Sequence, residues 1–433
     1  RTAWRRPLQF TPAGLGDQGD LEMLSQLPQP RLMPMRRGPC GVVGLAFRRT
    51  IATGSGTELA YNEILDETGT APGVLEAVTS AAAGVDPGLY ISLFYESDCR
   101  PVILVAEGSD WVEHTRGAAG WTAEPAGLDL AALTGAAGSI SPVSADVTRD
   151  GTFHVFGHSG GFLIHGSRSQ DPGASWTFSA LDQAPGTGVF QYRMDSTGSI
   201  HAVFEKTEYP CDPCDVTLYY GRLGPGGGWT DEVVQEGTWG PPLDLFSDSP
   251  WLLVDPSDRP MVVAHFQRRV VTGSFQSTEL RAYVWEDGEG GAEGGFCAET
   301  VATESDAYQG GDGDGFTGAL PVAGLDASGR VHATWLDMSI WHDATGYMNE
   351  IRGQIRHASR GTNSWSVARL GDQPGQSESP NPLVGYGAPL MVVLPDNAGV
   401  VIAAVQHTWE TDSIYNSTDL PVTWVAHAFV ATW

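Results

Sequence analysis

A nine-residue phrase that recurs seven times limits the folds open to this chain more than any other feature of its sequence. Each copy is an apolar run with polar residues near its end, and the copies begin at positions 41, 88, 151, 198, 258, 329 and 399. Four of them follow an Asp-containing turn such as "MDSTG" or "LDASG". In such turns Asp bonds the neighbouring backbone and Gly takes a positive φ. Each phrase is therefore predicted to be the second strand of a hairpin.

Further strands flank each phrase. An apolar run precedes each turn, and a third strand such as "TLYYGRL" or "ELRAYVW" follows. Many repeats close with a strand led by tryptophan, at Trp121, Trp176, Trp229 and Trp365. Four antiparallel strands per repeat make the blade of a β-propeller. The sequence thus predicts an all-β, seven-bladed β-propeller of four-stranded antiparallel blades, with six blades as the alternative.

The repeat positions also predict the domain organisation. We expect a single β-propeller domain over residues 1–433, with approximate blades at 29–80, 81–126, 140–181, 187–236, 247–302, 318–372 and 386–433. The last repeat ends after its third strand, whereas the N-terminal "TAWRRPLQF" resembles a fourth strand without a repeat of its own. Residues 2–10 are therefore predicted to be the closing strand of the last blade. Closure of the ring protects the strand edges, and we expect a monomer.

Composition excludes several classes of partner. Asp and Glu outnumber Lys and Arg 52 to 24, a net charge of −28 that repels nucleic-acid backbones. No run approaches the roughly 18 apolar residues of a membrane helix, so no membrane insertion is expected. The abundance of Gly, Pro and Trp favours a secreted β protein, extracellular or periplasmic. Since the chain begins at Arg1, we expect its leader to be absent from this sequence.

The five cysteines allow two disulfides and one thiol. Cys211 and Cys214 in "YPCDPCD" are close enough for a local disulfide. A structural zinc site would need two more ligands at matched spacing, and no second Cys-x-x-Cys pair exists. The pairing of Cys40, Cys99 and Cys297 is left open by the sequence.

One octet carries a family resemblance. "SQDPGASW" matches the pattern Ser-x-Asp-x-Gly-x-Ser/Thr-Trp at Ser169, Asp171, Gly173, Ser175 and Trp176. It resembles the Asp-box (BNR repeat) of the sialidase-like β-propeller superfamily. The resemblance implies architecture: the Asp ties the turn, the Gly makes it tight and the Trp anchors the next strand between blades. The pattern of its repeats is also similar to that of secreted propeller repeats of unassigned function.

A true sialidase is not expected from the rest of the sequence. The family would carry an Arg triad, a Tyr and Glu nucleophile pair and an Asp acid. Phe47 and Arg48 match the start of its Phe-Arg-Ile-Pro signature, but Arg49 and Thr50 replace Ile and Pro. No second or third triad member is evident.

Candidate functional residues cluster where each second strand enters the next loop. In a propeller these exits lie on one face around the central channel. Carboxylates and imidazoles there are the catalytic candidates: Glu205, Asp337, His158 and His407. Aromatic and basic residues at the exits and in the long loops suit sugar stacking and uronate binding. The substrate-binding candidates are Arg48, Arg49, Arg268, Arg269, Trp341, His342, Tyr347, Trp409 and Tyr415.

Other polar residues have structural interpretations. His154, His201 and His332 share the fourth position of the phrase, which favours a hydrogen-bonded structural role. The loop "ESDAYQGGDGDG" offers Asp306, Asp312 and Asp314 as calcium ligands. It lacks the twelve-residue calcium-loop pattern, so a flexible solvated turn is the alternative. No other cofactor is indicated.

Two functional hypotheses follow. In the first, the loops bind or process a glycan, as a hydrolase with two carboxylates or as a lyase in which His or Tyr removes a proton beside a uronate. In the second, the propeller is a non-catalytic recognition surface for a carbohydrate or a protein partner.

Overall fold

The computed structural model describes residues 3–4, 8–10, 34–50, 57–65, 76–79, 91–181, 189–207, 214–225, 228–239, 243–246, 250–269, 275–287, 294–303, 314–342, 348–362, 364–370, 383–386, 390–394, 399–409 and 422–432. These residues form 31 strands and one short helix. No helix in this part of the chain is long and apolar enough to cross a membrane. The chain divides into two compact units, one of Gly19–Glu205 and Tyr220–Asp231, the other of Arg1–Gln18, Lys206–Tyr219 and Glu232–Trp433.

Two short N-terminal strands are followed by three four-stranded antiparallel sheets in chain order. The N-terminal strands are β1 (Ala3–Trp4) and β2 (Leu8–Phe10). The first sheet contains β3 (Met35–Arg37), β4 (Val43–Thr50), β5 (Thr57–Leu65) and β6 (Glu76–Ala77). The second contains β7 (Ile91–Tyr95), β8 (Pro101–Glu107), β9 (Asp110–Gly117) and β10 (Gly120–Pro125). After helix α1 (Leu130–Thr134), the third contains β11 (Ser141–Val147), β12 (Phe153–Ser159), β13 (Phe162–Arg168) and β14 (Thr177–Leu181).

The fourth sheet has nine strands and holds two sequence repeats. Its strands are β15 (Val189–Met194), β16 (Ile200–Thr207), β17 (Cys214–Leu223), β18 (Trp229–Trp239), β19 (Leu243–Phe246), β20 (Trp251–Val254), β21 (Pro260–Arg269), β22 (Phe275–Glu286) and β23 (Gly295–Thr303). β19 and β20 both pair with β21. β19 also pairs with β18 at Thr238 and Asp244, which joins the two repeats.

Two sheets complete the described chain. The fifth contains β24 (Asp314–Leu325), β25 (Val331–His342), β26 (Met348–Arg360) and β27 (Trp365–Leu370). The sixth contains β28 (Leu383–Tyr386), β29 (Leu390–Leu394), β30 (Gly399–Trp409) and β31 (Val422–Thr432). β31 also pairs antiparallel with β1, where Ala3 lies opposite Thr432, and with β2, where Leu8 lies opposite Ala428. The N-terminal strand therefore completes the last sheet, as predicted.

The fold is an all-β propeller of antiparallel blades, and the described strands form six of them. The alternative of six is confirmed and the count of seven is wrong. The physical reason is the bridge between β18 and β19, which merges the fourth and fifth repeats into one sheet. The blade boundaries and the single-domain span of 1–433 stay predictions.

The turn before several second strands is built around one aspartate. The Asp195 Oδ1 atom accepts the backbone N–H groups of Thr197 and Ser199, both at 2.8 Å. Asp326 binds Ser328 and Arg330 in the same way, both at 2.9 Å. Gly329 has φ 80°, the left-handed conformation that this turn requires. The repeated Asp thus shapes the hairpin by satisfying two backbone donors.

The repeated histidine connects this turn to the third strand. His201 Nε2 lies 3.0 Å from Asp195 Oδ2, and its Nδ1 lies 2.6 Å from the Tyr220 hydroxyl. Since a carboxylate only accepts hydrogen bonds, Nε2 is the donor and Nδ1 accepts from the tyrosine. His332 likewise lies between Asp326, at 3.4 Å, and His357, at 3.2 Å. The structural role predicted for these histidines is confirmed.

The third histidine of this group has a threonine in place of the aspartate. His154 Nε2 lies 3.4 Å from the Thr148 hydroxyl, and its Nδ1 lies 3.0 Å from His165 Nε2. The rings of His154 and His165 stack with centroids 5.2 Å apart. The pKa of His165 is lowered to about 4 and that of His357 to about 3. Burial is the larger cause in both, and the neighbouring imidazole is the smaller one. Both histidine pairs are therefore neutral at pH 7.

A polar clasp joins neighbouring sheets. Glu113 on β9 accepts the indole N–H of Trp176 at 2.6 Å and forms an ion pair with Arg168 at 3.1 Å. Trp176 immediately precedes β14 and Arg168 ends β13, so both belong to the next sheet. Arg168 is almost fully buried, so its positive charge depends on such acidic partners.

The same clasp occurs twice more in the described chain. In each case a tryptophan before or early in the fourth strand and an arginine of the third strand bind a glutamate of the preceding repeat. Glu76 binds Trp121 at 2.9 Å and Arg116, and Glu299 binds Trp365 at 3.0 Å and Arg360 at 2.9 Å. Apolar packing fills the rest of these sheet contacts, as where Phe94 stacks on Phe153 with ring centroids 4.6 Å apart.

A disulfide links the first and second sheets. Cys40 lies in the turn before β4 and Cys99 in the loop after β7, with Cα atoms 5.9 Å apart. Of the remaining cysteines, Cys297 is an exposed thiol on β23. Cys211 and the Cys214 side chain lie outside the described residues, so their disulfide stays a prediction.

Replacement of Glu113 by Gln should lower the free energy of unfolding by about 1–3 kcal/mol, because Arg168 loses a charged partner while Trp176 keeps an acceptor. Glu124 lies opposite Glu113 in the β9–β10 register and is exposed, so Glu124→Gln is the matched control. We expect the control to change stability by less than about 0.5 kcal/mol. Urea unfolding measures both, and equal effects would contradict a specific role for the clasp.

Acid should destabilise the fold through the histidine pairs. Because burial lowers the pKa of His357 to about 3, the unfolded chain takes up its proton first as the pH falls. The stabilisation is complete above the ordinary pKa of 6.5 and is lost as the pH falls through 6.5 toward about 3. His357→Gln should therefore flatten the pH dependence of the free energy of unfolding. Urea unfolding between about pH 7.5 and about pH 4.5 measures this slope, and an unchanged slope would exclude the mechanism.

Candidate functional site

The end of each second strand, where the chain enters the next loop, is here called its exit. The repeated phrase that begins at position 88 forms β7, the first strand of the second sheet and not the predicted second strand, so Tyr95 lies at the turn that leads to β8. The Tyr95 hydroxyl lies 2.8 Å from the Tyr61 hydroxyl of the first sheet. Burial raises the pKa of both phenols, and each phenol also perturbs the other. Both tyrosines are therefore neutral and buried, and they connect two sheets.

The next residue, Glu96, is also buried and paired. Its carboxylate is 1% exposed and forms ion pairs with Arg168 and with Arg100, the latter at 2.6 Å. It also accepts the backbone N–H of Gly173 at 3.3 Å. Glu96 is therefore held between its own loop and the turn of the octet.

The octet forms the tight turn that its sequence predicts. The Ser169 hydroxyl donates to Asp171 Oδ2 at 2.7 Å and accepts the Asp171 N–H at 3.0 Å. Gly173 has φ 74°, where a side chain would be strained. Arg168 Nε donates to the Ala174 carbonyl at 2.8 Å, and Trp176 enters the clasp with Glu113. All of these contacts stabilise the fold.

At the exit of the third sheet a histidine meets a tyrosine. His158 Nε2 lies 2.6 Å from the Tyr192 hydroxyl, which belongs to the following repeat. Burial lowers the pKa of His158 and raises that of Tyr192. The imidazole is half-buried and neutral at pH 7, and either its Nε2 or the phenol oxygen can donate the hydrogen bond that joins them. This arrangement orients a neutral base at the exit.

Two further exits lie in the nine-stranded sheet. Glu205 and Lys206 are half-buried near the end of β16, and the Lys206 ammonium lies 4.3 Å from the centroid of the Tyr219 ring. The guanidinium of Arg281 on β22 lies 4.0 Å from the centroid of the Phe266 ring on β21. Burial lowers the pKa of His265 to about 4, so this histidine is neutral.

Asp337, which lies within β25 and before its exit at His342, is an ion-pair partner. Its carboxylate is 2% exposed and lies 2.7 Å from Arg356 Nε on the neighbouring strand β26. The Trp335 indole N–H donates to its Oδ1 atom, also at 2.7 Å. Both charges are removed from solvent and neutralise each other.

Three second strands continue past this buried layer. β21 reaches Arg269, β25 reaches His342 and β30 reaches Trp409. Arg269 lies opposite Leu243 and Phe275, and Trp409 lies opposite Leu383 and Val422, whereas Trp341 lies opposite Glu350 on one side. The backbone of these extensions therefore belongs to sheets rather than to loops.

Six predicted site residues lie on these extensions or on the strands themselves: Arg268, Arg269, Trp341, His342, His407 and Trp409. Arg48 and Arg49 occupy the corresponding end of β4. The side chains of these eight residues lie outside the described part of the structure. Tyr347 and Tyr415 lie outside it altogether.

Of the three ligands predicted in the calcium loop, the structure describes only Asp314. Asp314 begins β24, where it lies opposite Ile340, whereas Asp306 and Asp312 fall outside the described residues. Within the ranges that the structure describes, no group of three or more His, Cys, Asp or Glu side chains is placed to hold a metal ion. Calcium binding stays a prediction.

The sequence alone did not reveal the partners of the buried carboxylates and of His158. Arg168 and Arg356 bind the carboxylates, and Tyr192 binds His158. All three lie within β-strands and are buried. A charged or phenolic residue within a buried strand was the available signal.

Comparisons with known proteins return structures but no family. No family model matches the chain, and no curated protein matches it. A polysaccharide lyase, Uly1, is similar at 10% identity and a TM-score of 0.48 over 93% of this chain and 90% of that one. An α-L-arabinanase of Penicillium chrysogenum is similar at 11% identity and a TM-score of 0.34, over 67% of this chain and 92% of that one. The GH93 α-L-arabinofuranosidase of Fusarium graminearum is similar at 10% identity and a TM-score of 0.35, over 66% and 92%. Such similarities assign no activity.

Asp337→Asn should lower the free energy of unfolding by about 3 kcal/mol, because Arg356 is left buried without its counterion. The double variant Asp337→Leu with Arg356→Met removes both charges and should recover most of this loss. Chemical unfolding of the two variants measures the difference. A fully stable Asp337→Asn protein would instead indicate that the carboxylate is free for another role.

Proposed function

We propose that this protein is a secreted, Asp-box-type β-propeller that binds a polysaccharide at the exits of its second strands. The extension of β21, β25 and β30 past the buried layer carries this proposal. These extensions place two arginines, two tryptophans and two histidines on paired backbone. Sugar sites need aromatic faces and charged groups held on rigid elements.

The charge distribution favours an acidic glycan. The chain has a net charge of −28, yet basic residues occupy consecutive positions near the ends of β4 and β21 and one position near the end of β16. Five of its 24 basic residues are in these positions, namely Arg48, Arg49, Lys206, Arg268 and Arg269. A guanidinium group binds a uronate carboxylate through two parallel hydrogen bonds. We therefore infer that uronate-containing polysaccharides are the preferred class.

A lyase is the second candidate function, because His158 and Tyr192 form a neutral imidazole–phenol pair with a 2.6 Å contact. In a lyase reaction a base removes the proton beside the uronate carboxylate, and the C–O bond at the adjacent carbon breaks with departure of the leaving sugar. His158 is suited to the role of base in the tautomer whose Nε2–H donates to the Tyr192 oxygen, because its Nδ1 lone pair is then free to take the proton. A hydrolase is less well supported, because Asp337 is buried in its pair with Arg356.

The proposal is tested by titrating uronate and neutral polysaccharides into the pure protein and by following released ends with mass spectrometry. Arg269→Ala and Trp341→Ala should each weaken binding of the uronate polymer by about tenfold, since a stacked aromatic or a charged hydrogen bond contributes that much. Arg149→Ala is the matched control, because Arg149 is exposed in a turn at the opposite end of its sheet. The Arg149→Ala variant should bind the uronate polymer as tightly as the original protein.

The product decides between the two functions. An unsaturated uronate that disappears in His158→Gln, with unchanged binding and unfolding midpoint, would establish the lyase. Binding without product would establish recognition alone. Failure to bind any acidic or neutral polysaccharide would refute the proposed function.

A further inference from the structure

A small cavity lies at the end of the fifth sheet opposite to its exit. Its volume is about 280 Å³, near the lower end of the range for ligand pockets. The turn between β24 and β25 and the turn between β26 and β27 form its walls. In an antiparallel four-stranded sheet these two turns share one end, and the loop after the second strand occupies the other. The cavity is therefore separate from the proposed glycan site.

Two arginines line this cavity. Arg360 forms a double hydrogen bond with Glu299, at 2.9 and 2.5 Å, so its charge is balanced within the protein. Arg330 is half exposed, and its Nε atom lies 4.0 Å from Asp326 Oδ2, which is too long for a hydrogen bond. The hydroxyl-bearing residues Ser328 and Thr362 complete the polar lining.

A second turn in the same unit holds its arginine closer to the turn aspartate than the 4.0 Å ion pair of Arg330 with Asp326. In the turn at Asp255, the equivalent Arg259 donates from Nε to Asp255 Oδ2 at 3.0 Å, and its Nη2 atom lies 2.8 Å from the same oxygen. Two residues further along the chain is Met261, which cannot compete for that oxygen. In the fifth sheet this position is His332, and its Nε2 occupies Asp326 Oδ2. The histidine thus leaves the Arg330 guanidinium available to the cavity.

We propose that this cavity binds an oxyanion group, such as sulfate, phosphate or carboxylate, through the Arg330 guanidinium. The guanidinium supplies forked donors to two anion oxygens. The Thr362 hydroxyl adds a further donor at the wall, and the nearby Arg360 contributes positive charge. Because the whole chain is strongly acidic, such an anion is held by these local groups and not by the overall field.

The test is a calorimetric titration of the full chain with inorganic sulfate and inorganic phosphate at constant ionic strength. Arg330→Gln should weaken binding by at least about tenfold, the loss expected for a charge-assisted hydrogen bond. Arg259→Gln is the matched control, since Arg259 has the same turn position and similar exposure but is bound to Asp255. Its affinity should stay within about twofold of the original, because an exposed ion pair contributes little.

A second variant keeps the test independent of any effect of Arg330 on folding. Thr362→Glu adds a carboxylate to the exposed wall of the cavity and should also abolish binding. Titration with a sulfated oligosaccharide identifies the source of the anion. Equal affinity for sulfate and oligosaccharide supports a site for free ions, and tighter binding of the oligosaccharide supports a site for a glycan-borne group. Binding that survives in Arg330→Gln or Thr362→Glu, that falls equally in Arg259→Gln, or that is absent from the original protein would overturn the proposal.

Discussion

A glutamate of one repeat, held by a tryptophan and an arginine of the next, fixes how neighbouring sheets pack. Apolar contacts between sheets are non-directional, so they would allow one sheet to slide on another. The clasp adds directional hydrogen bonds at Glu76, Glu113 and Glu299, each to an indole N–H and a guanidinium. The clasp recurs at the same end of three sheets. It therefore fixes the position of each sheet relative to its neighbour in the same way.

The second strand connects this packed end to the functional end of each sheet. Near its start, a histidine bonded to the turn and to the third strand fixes the hairpin, as His201 does with Asp195 and Tyr220. Near its exit, the same strand carries residues such as His158 and Asp337. Because hydrogen bonds fix the strand at one end, the residues near its other end have little freedom to move. The turns still differ in detail: Arg259 hydrogen-bonds its turn aspartate, whereas Asp326 Oδ2 lies 3.4 Å from His332 and 4.0 Å from Arg330.

The exits contain two layers of different chemistry. In the inner layer, polar residues are buried or half-buried beside partners on neighbouring strands or sheets, as in the pairs of His158 with Tyr192 and Asp337 with Arg356. Beyond it, the extended strands carry arginine, tryptophan and histidine on paired backbone. The inner layer gives stability, and the outer layer is where we place ligand recognition.

The periodic pattern of the sequence was enough to predict most of the fold. Apolar strands, Asp turns, Trp-led fourth strands and a closing N-terminal strand are local signals that appear in the structure, except that the phrase at position 88 forms the first strand of its sheet and not the second. The number of separate blades was not predictable, because it depends on one backbone pairing between Thr238 and Asp244. The disulfide of Cys40 and Cys99 also required the structure, since these residues are 59 positions apart and meet only when two sheets pack. For the candidate site, the sequence indicated which residues stand at the exits. Whether a carboxylate such as Asp337 is available there was decided by Arg356 on the neighbouring strand, because burial and charge pairing arise only when strands come together.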